Sequence, residues 1–169
     1  TDSLVGSEMC IRDRSLAVIG TGPIAKGLLE GYVTLFPDLT DIRIWGRTRE
    51  RAQAHAEAVP FPLTVCDTAE NAVRGADIVT SATASRSPVI KGNWVKPGAH
   101  VDLVGAHGPG MREADDLLIS SASLFVDSRE TVLEHIGEFH IPIEKRLISP
   151  ANVQGDLYDL VMADNHRRS

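Results

Sequence analysis

Residues 15–20 (SLAVIG) form an unbroken apolar run that closes on glycine, the pattern of a strand buried on both faces. From Pro23 the period changes. Ile24, Leu28, Val33 and Leu35 recur at roughly helical spacing, a proline is tolerated in the first turn, and Pro37 and Asp38 end the helix. Residues 41–45 (DIRIW) alternate apolar and polar as a strand, and residues 48–59 (TRERAQAHAEAV) predict an alanine- and charge-rich helix with Thr48 placed to cap it. The alternation continues with a strand at 63–66, a short helix at 68–73 and a strand at 77–82. After the Pro97-Gly98 turn come a strand at 99–104, a helix at 113–120 and a strand at 123–126. Residues 127–148 are less regular, and residues 152–162 predict a last helix. Strands alternating with helices predict an α/β fold, a doubly wound Rossmann-type parallel sheet with right-handed crossovers.

The two ends break this pattern. Residues 1–14 (TDSLVGSEMCIRDR) have neither a helical nor an alternating period, and SLVGSEMCIRDR resembles a translated adapter sequence, so a non-native or disordered head is expected there. The last six residues (DNHRRS) stop without a closing element, and truncation is expected at both ends. The length of 169 residues suits one core, and 43% apolar with 24% charged residues places the chain among soluble globular proteins. No apolar run approaches ~18 residues, so no membrane span is expected. A net charge of −6 without a Lys/Arg stripe counts against nucleic acid or an anionic membrane as principal partner. Cys10 and Cys66 are too few for a disulfide framework or a zinc site, which points to a reducing cytoplasm. His55, His100, His135, His140 and His166 lack the short repeated spacing of metal ligands, so no metal is expected.

Candidate chemistry begins at residues 20–25, Gly20-Thr21-Gly22-Pro23-Ile24-Ala25, between the first strand and its helix. That is where a dinucleotide fingerprint sits. Gly20 permits the tight turn, Gly22 lets backbone approach a pyrophosphate, and Ala25 is small enough for helix to pack on strand. The pyrophosphate would lie at the positive end of the helix. The tip of the second strand, about 20 residues on, is where NAD sites place an acidic residue. Here it reads Trp45-Gly46-Arg47-Thr48-Arg49, with no carboxylate to repel a phosphate and with Arg47, Arg49 and the Thr48 hydroxyl able to hold one. This points to NADP, with NAD as the other possibility. A solvated basic helix face through Arg47, Arg49 and Arg51 is the competing reading.

Taken together, GTGPIA, IWGRT, GADIVTSATASRSPVI, WVKPGAHVDLVGAHGPGMREADD and LFVDSRE resemble the ornithine cyclodeaminase/mu-crystallin family of NAD(P)-dependent enzymes, in order from about Ser15 onward. The resemblance implies a Rossmann domain at 15–148 and, at 149–169, the start of a return to a second domain that binds substrate and forms a homodimer. In that family the substrate-carboxylate arginines and catalytic lysine precede the glycine turn, where this chain has fourteen unmatched residues. The resemblance also implies that Ser81, Ala82 and Thr83 end the fourth strand against the adenosine and nicotinamide riboside. Val104 and Gly105 would offer backbone groups to the carboxamide. Ordinary strand-end packing explains the same small residues.

Family members work in several ways. Cyclodeaminases convert ornithine to proline and ammonia with NAD, reductases reduce cyclic ketimines such as Δ1-pyrroline-2-carboxylate, and crystallin-type relatives also serve as NADP-binding proteins. Cyclodeaminases carry an aspartate in a GGDCPG-like loop, and the matching loop here, residues 105–110, has His107 in its place. A carboxylate can hold a substrate ammonium, whereas histidine fits the proton donor of an imine reductase. Reduction of a cyclic ketimine carboxylate with NADPH is therefore the expected activity, with ornithine cyclodeamination and non-catalytic NADP binding as the alternatives. Asp102, Asp115 and Asp116 are assigned no chemistry, since the last two begin a predicted helix and complement its dipole.

Overall fold

The computed structural model describes residues 14–167. The expected head, apart from Arg14, and the last two residues lie outside them. The chain divides into two units. One comprises residues up to Thr83 together with Trp94–Gly105, the other Ala84–Asn93 together with residues from Ala106 on.

In the first unit the elements are β1 (Ser15–Ile19), α1 (Pro23–Leu35), β2 (Asp41–Trp45), α2 (Arg49–Ala58), β3 (Thr64–Val65), α3 (Ala69–Val73), β4 (Ile78–Ser81) and β5 (His100–Leu103). The sheet order is β3-β2-β1-β4-β5 with every pair parallel, the α/β Rossmann-type arrangement that the strand and helix periods predict. Leu16 and Val18 of β1 pack with Ala25 and Leu29 of α1, Ile42 and Ile44 of β2, Ala52 of α2 and Ile78 of β4. Ala17 and Ile19 point to the opposite face and are fully buried as well, which is why β1 reads as a continuous apolar run. Burying each of the larger side chains stabilises the unit by about 1.5–3 kcal/mol before entropy is counted.

The amino edge of this sheet is tied by Asp77. Its Oδ2 accepts from the backbone N–H groups of Arg14 (2.9 Å) and Ser15 (3.0 Å) and from the Ser15 hydroxyl (2.7 Å), while Oδ1 pairs with Lys96. Burial raises its pKa, but the Lys96 and Ser15 hydrogen bonds and the two amides outweigh this and hold the carboxyl well below the usual range. Asp102 on β5 is equally structural. Its Oδ2 accepts from the Tyr32 hydroxyl (3.3 Å) and the Thr80 hydroxyl (3.2 Å), joining α1 to the sheet. Burial and the neighbouring Asp102 charge push the Tyr32 phenol upward.

In the second unit the elements are α4 (Asp116–Ser121), β6 (Leu124–Val126), α5 (Arg129–Val132), α6 (Gly137–Glu144), β7 (Val153–Asp156) and α7 (Leu157–Arg167). Four expectations are corrected here. The strand at 123–126 does not extend the large sheet; β6 pairs in parallel with β7 in a sheet of two. Residues 152–162 are not one helix, because Val153–Asp156 is that second strand and α7 starts at Leu157. The helix expected from 113 starts at Asp116. Glu113 and Ala114 stay outside the helix, with Val89 and Ile90 donating to the Glu113 carbonyl at 2.8 and 2.9 Å and Ile90 bridging Ala114. The irregular stretch at 127–148 holds α5 and α6. Asp115 does cap α4, accepting from the Leu118 N–H at 2.9 Å.

Beneath this lacing, Glu138 of α6 is 3% exposed and takes the N–H groups of Glu113 (2.7 Å) and Ala114 (3.0 Å) on its carboxylate. Arg112, 5% exposed, lies 3.6 Å from Glu138 and 2.7 Å from Asp116. Burial pushes the Glu138 carboxyl upward, against the pull of the two amides and Arg112. Among the described residues no helix is long and apolar enough to cross a membrane, and no cluster of His, Cys, Asp and Glu is arranged to hold a metal.

Candidate cofactor site

Parallel pairing aligns the carboxyl ends of four strands, and the backbone ladder carries that alignment one residue past each strand. The Gly20 N–H donates to Trp45 (2.8 Å), the Ala82 N–H to Ile19 (2.9 Å) and the Val104 N–H to Ser81 (2.8 Å). Gly20, Gly46, Ala82 and Val104 therefore follow neighbouring strand ends at one edge of the first unit. The chain winds outward from β1 through β2 to β3 and then returns to β4 beside β1, so the loops after β1 and β4 diverge there. Such a switch point is where open α/β sheets bind ligands.

The two motif glycines are needed for different reasons. Gly20 has φ of +127°, and a Cβ on it would stand 2.7 Å from the Ala82 carbonyl oxygen, so the fold itself demands glycine. Gly22 has an ordinary φ of −86°, and a Cβ there would meet no protein atom within 4 Å. Nothing in the protein requires Gly22, and the space in front of it is open. Gly22 is also the N-cap of α1, which has no side-chain cap and no acidic residue in its first turn. An uncapped helix N-terminus with room in front of its N-cap residue meets the condition for taking a phosphate. Pro23 lacks an N–H and occupies the first helical position, Ile24 is exposed, and Ala25 is buried against the sheet.

At the β2 tip Gly46 is close-packed, and a Cβ there would run into the Thr21 side chain. Arg47 is exposed and has no ion-pair partner among the described residues. Thr48 occupies the N-cap of α2, yet its side chain makes no capping bond, leaving the hydroxyl for another acceptor. Arg49 is different: it pairs with Asp67, which follows β3. Parallel register sets Ile44 beside Val65, so the residues after β2 run next to those after β3, and the Arg49–Asp67 pair could be anticipated from that alignment. Ser81 is fully buried within β4, Ala82 and Thr83 are half-buried, and Gly105 is buried beside the exposed Val104.

His107 belongs to the second unit and is exposed. Its loop is fixed at the next residue, where the Gly108 carbonyl accepts from the N–H groups of Gly137 (3.0 Å) and Met111 (3.1 Å). Gly137 is itself crowded, since a Cβ there would lie 2.5 Å from the Met111 carbonyl and 2.6 Å from that of Pro109. The residue that sequence periodicity missed is His55. It sits on the half-buried side of α2 with Nε2 3.1 Å from the Thr21 carbonyl, a pairing across thirty-four positions that no local pattern announces.

The profile of the ornithine cyclodeaminase/mu-crystallin family matches residues 11–169. The chain belongs to that family. It is 44% identical over 172 aligned positions to the Δ1-pyrroline-2-carboxylate reductase of Paracoccus denitrificans, covering 99% of this chain and 54% of that protein. It is 38% identical to the ketimine reductase mu-crystallin of Rattus norvegicus, covering 86% of this chain and 44% of that one. A solved structure of Thermococcus litoralis Δ1-pyrroline-2-carboxylate reductase in complex with NADH and L-proline superposes with a TM-score of 0.82 at 26% identity, over 90% of this chain and 49% of that one. The chain spans about half the length of the curated relatives it matches.

Proposed function

We propose that the protein is an NAD(P)-dependent reductase of cyclic ketimine carboxylates, of the Δ1-pyrroline-2-carboxylate type, and that this chain supplies its dinucleotide-binding part. The observation that carries the reaction is the likeness to the Paracoccus reductase along 99% of the chain. The cofactor reading is supported by the open space before Gly22 and the uncapped α1 terminus, which fit a pyrophosphate. Residues 20–25 would hold the pyrophosphate, and Gly46, Arg47 and Thr48 the adenosine ribose and its 2′-phosphate. Ser81, Ala82, Thr83, Val104 and Gly105 would border the rest of the dinucleotide. The exposed Arg47 and the lack of a carboxylate within residues 46–49 favour NADP(H), whereas the Thermococcus relative was solved with NADH. When bound, the reduced nicotinamide supplies the hydride that turns the imine carbon into an amine carbon.

His107 is proposed as the general acid that delivers a proton to the imine or product nitrogen. It stands where cyclodeaminases carry aspartate, which favours reduction over ornithine cyclodeamination. The active protein is proposed to be a cytoplasmic homodimer acting on a small cyclic imine. The test is a full-length protein carrying this sequence, assayed for NADPH oxidation with Δ1-pyrroline-2-carboxylate and for ammonia release from ornithine. Imine reduction with little ammonia release supports the reading, and ornithine-to-proline conversion at comparable kcat/KM overturns it. Cofactor binding without either activity would instead favour a binding protein. His107→Ala should lower kcat by roughly 10²–10⁴ while leaving NADPH affinity unchanged.

A further inference from the structure

Thr21, inside the glycine turn, is held from two directions. Its carbonyl oxygen lies 3.1 Å from Nε2 of His55 on α2. A carbonyl can only accept, so Nε2 carries the hydrogen and donates. On the other side, the Thr21 side chain is seated on the backbone of Gly46, where an added Cβ would strike its methyl and come within 3.1 Å of its hydroxyl oxygen. Gly46 is the β2 tip, and α2 begins three residues later, so the element that follows the tip also grips the turn.

A trans peptide is one planar unit in which the carbonyl of one residue and the N–H of the next point in opposite directions. The bond that fixes the Thr21 oxygen therefore also aims the N–H of Gly22, the N-cap residue of α1. We propose that His55 is a positioning residue for the cofactor: by clamping the Thr21 carbonyl while Gly46 seats the Thr21 side chain, it holds the pyrophosphate turn in register with the 2′-phosphate tip. The inference rests on the NADP(H) reading above. A histidine that merely filled space on α2 would stabilise the fold without distinguishing one part of the ligand from another.

The experiment measures binding of NADPH and of adenosine 2′-monophosphate, which engages the tip but has no phosphate for the turn. It uses the wild-type chain and His55→Leu, His55→Gln and His55→Asn, with a melting temperature for each. His55→Leu should weaken NADPH about three- to tenfold, the range of one lost hydrogen bond, with adenosine 2′-monophosphate unchanged. His55→Gln, whose amide reaches further than that of His55→Asn, should recover most of the loss. Unchanged NADPH affinity in His55→Leu, or equal weakening of both ligands, overturns the proposal. If His55→Leu does not fold, the Gln and Asn variants decide: tighter NADPH binding by Gln supports the clamp, and equal affinities overturn it. A wild-type chain that binds neither NADPH nor NADH removes the cofactor reading and the clamp together, whereas normal wild-type binding with indifferent variants removes the clamp alone.

Discussion

Gly20 approaches Ala82 so closely that a Cβ on the glycine would stand 2.7 Å from the alanine carbonyl oxygen, while Gly22, two residues on, faces no protein atom within 4 Å. Alanine at the two positions should therefore fail in different ways. Gly20→Ala meets both a left-handed φ and a backbone collision, and should destabilise the chain by more than about 1 kcal/mol. Gly22→Ala should melt within about 0.5 kcal/mol of wild type yet lose most NADPH affinity, because the new methyl occupies ligand space. Thermal melts paired with calorimetric titration separate the two outcomes, and equal melting loss in both variants would contradict them.

Arg47 and Arg49 are unequal for the same kind of reason. Arg49 is engaged by Asp67, so Arg47→Ala should cost the larger share of 2′-phosphate binding, about 1.5–3 kcal/mol for NADPH and little for NADH. Asp67→Asn should release Arg49 and tighten NADPH selectively. Titration of each variant with both nucleotides checks this, and parallel losses for NADH and NADPH would place Arg47 away from the phosphate.

Asp77 makes the stability of the sheet edge sensitive to acid. Its folded pKa is depressed, so its contribution is fully present above its unfolded value near 3.8 and is lost as pH falls through the folded value below that. Asp77→Asn should lower stability at neutral pH by roughly 1–3 kcal/mol and flatten the decline of stability below about pH 4. Denaturant melts at pH 7, 4 and 3 measure the slope, which an unimportant Asp77 would leave as in wild type.

Glu138→Ala leaves the buried N–H groups of Glu113 and Ala114 without their acceptor and takes one of two carboxylates from Arg112, which keeps Asp116. A buried donor left unsatisfied costs about 1–3 kcal/mol, so this variant, which leaves two, should lose more stability than any exposed carboxylate truncation in the same unit. Glu130→Ala, on an exposed residue of α5, is the control, and comparable melting temperatures for the two would refute the buried role.

The parallel sheet was legible because its signals are local: LAVI is apolar throughout since both faces of β1 are buried, and DIRIW alternates because only one face of β2 is. The turn at 20–25 was legible because glycine placement follows from backbone geometry. The second unit was harder to read, since its structure comes from partners far along the chain. VQGD contains a glycine and an aspartate, poor strand formers, and is a strand only because Leu124–Val126 lies beside it. Glu113 and Ala114 have helical propensity, yet their amides go to a carboxylate some twenty-five positions downstream. The Thr21 carbonyl is hidden as the partner of His55 for the same reason.

The interleaving of the two units sets an order on synthesis. β5 pairs with β4 but is encoded after residues 84–93, which belong to the other unit, so the five-stranded sheet stays one strand short until residue 103 has left the ribosome. By then the first ten residues of the second unit are already made, and they must wait for residues 111–115 before Val89 and Ile90 find their acceptor at Glu113. Folding from the N-terminus should therefore proceed as a four-stranded intermediate with an exposed β4 edge, a species open to chaperones and to pairing with a neighbouring nascent chain.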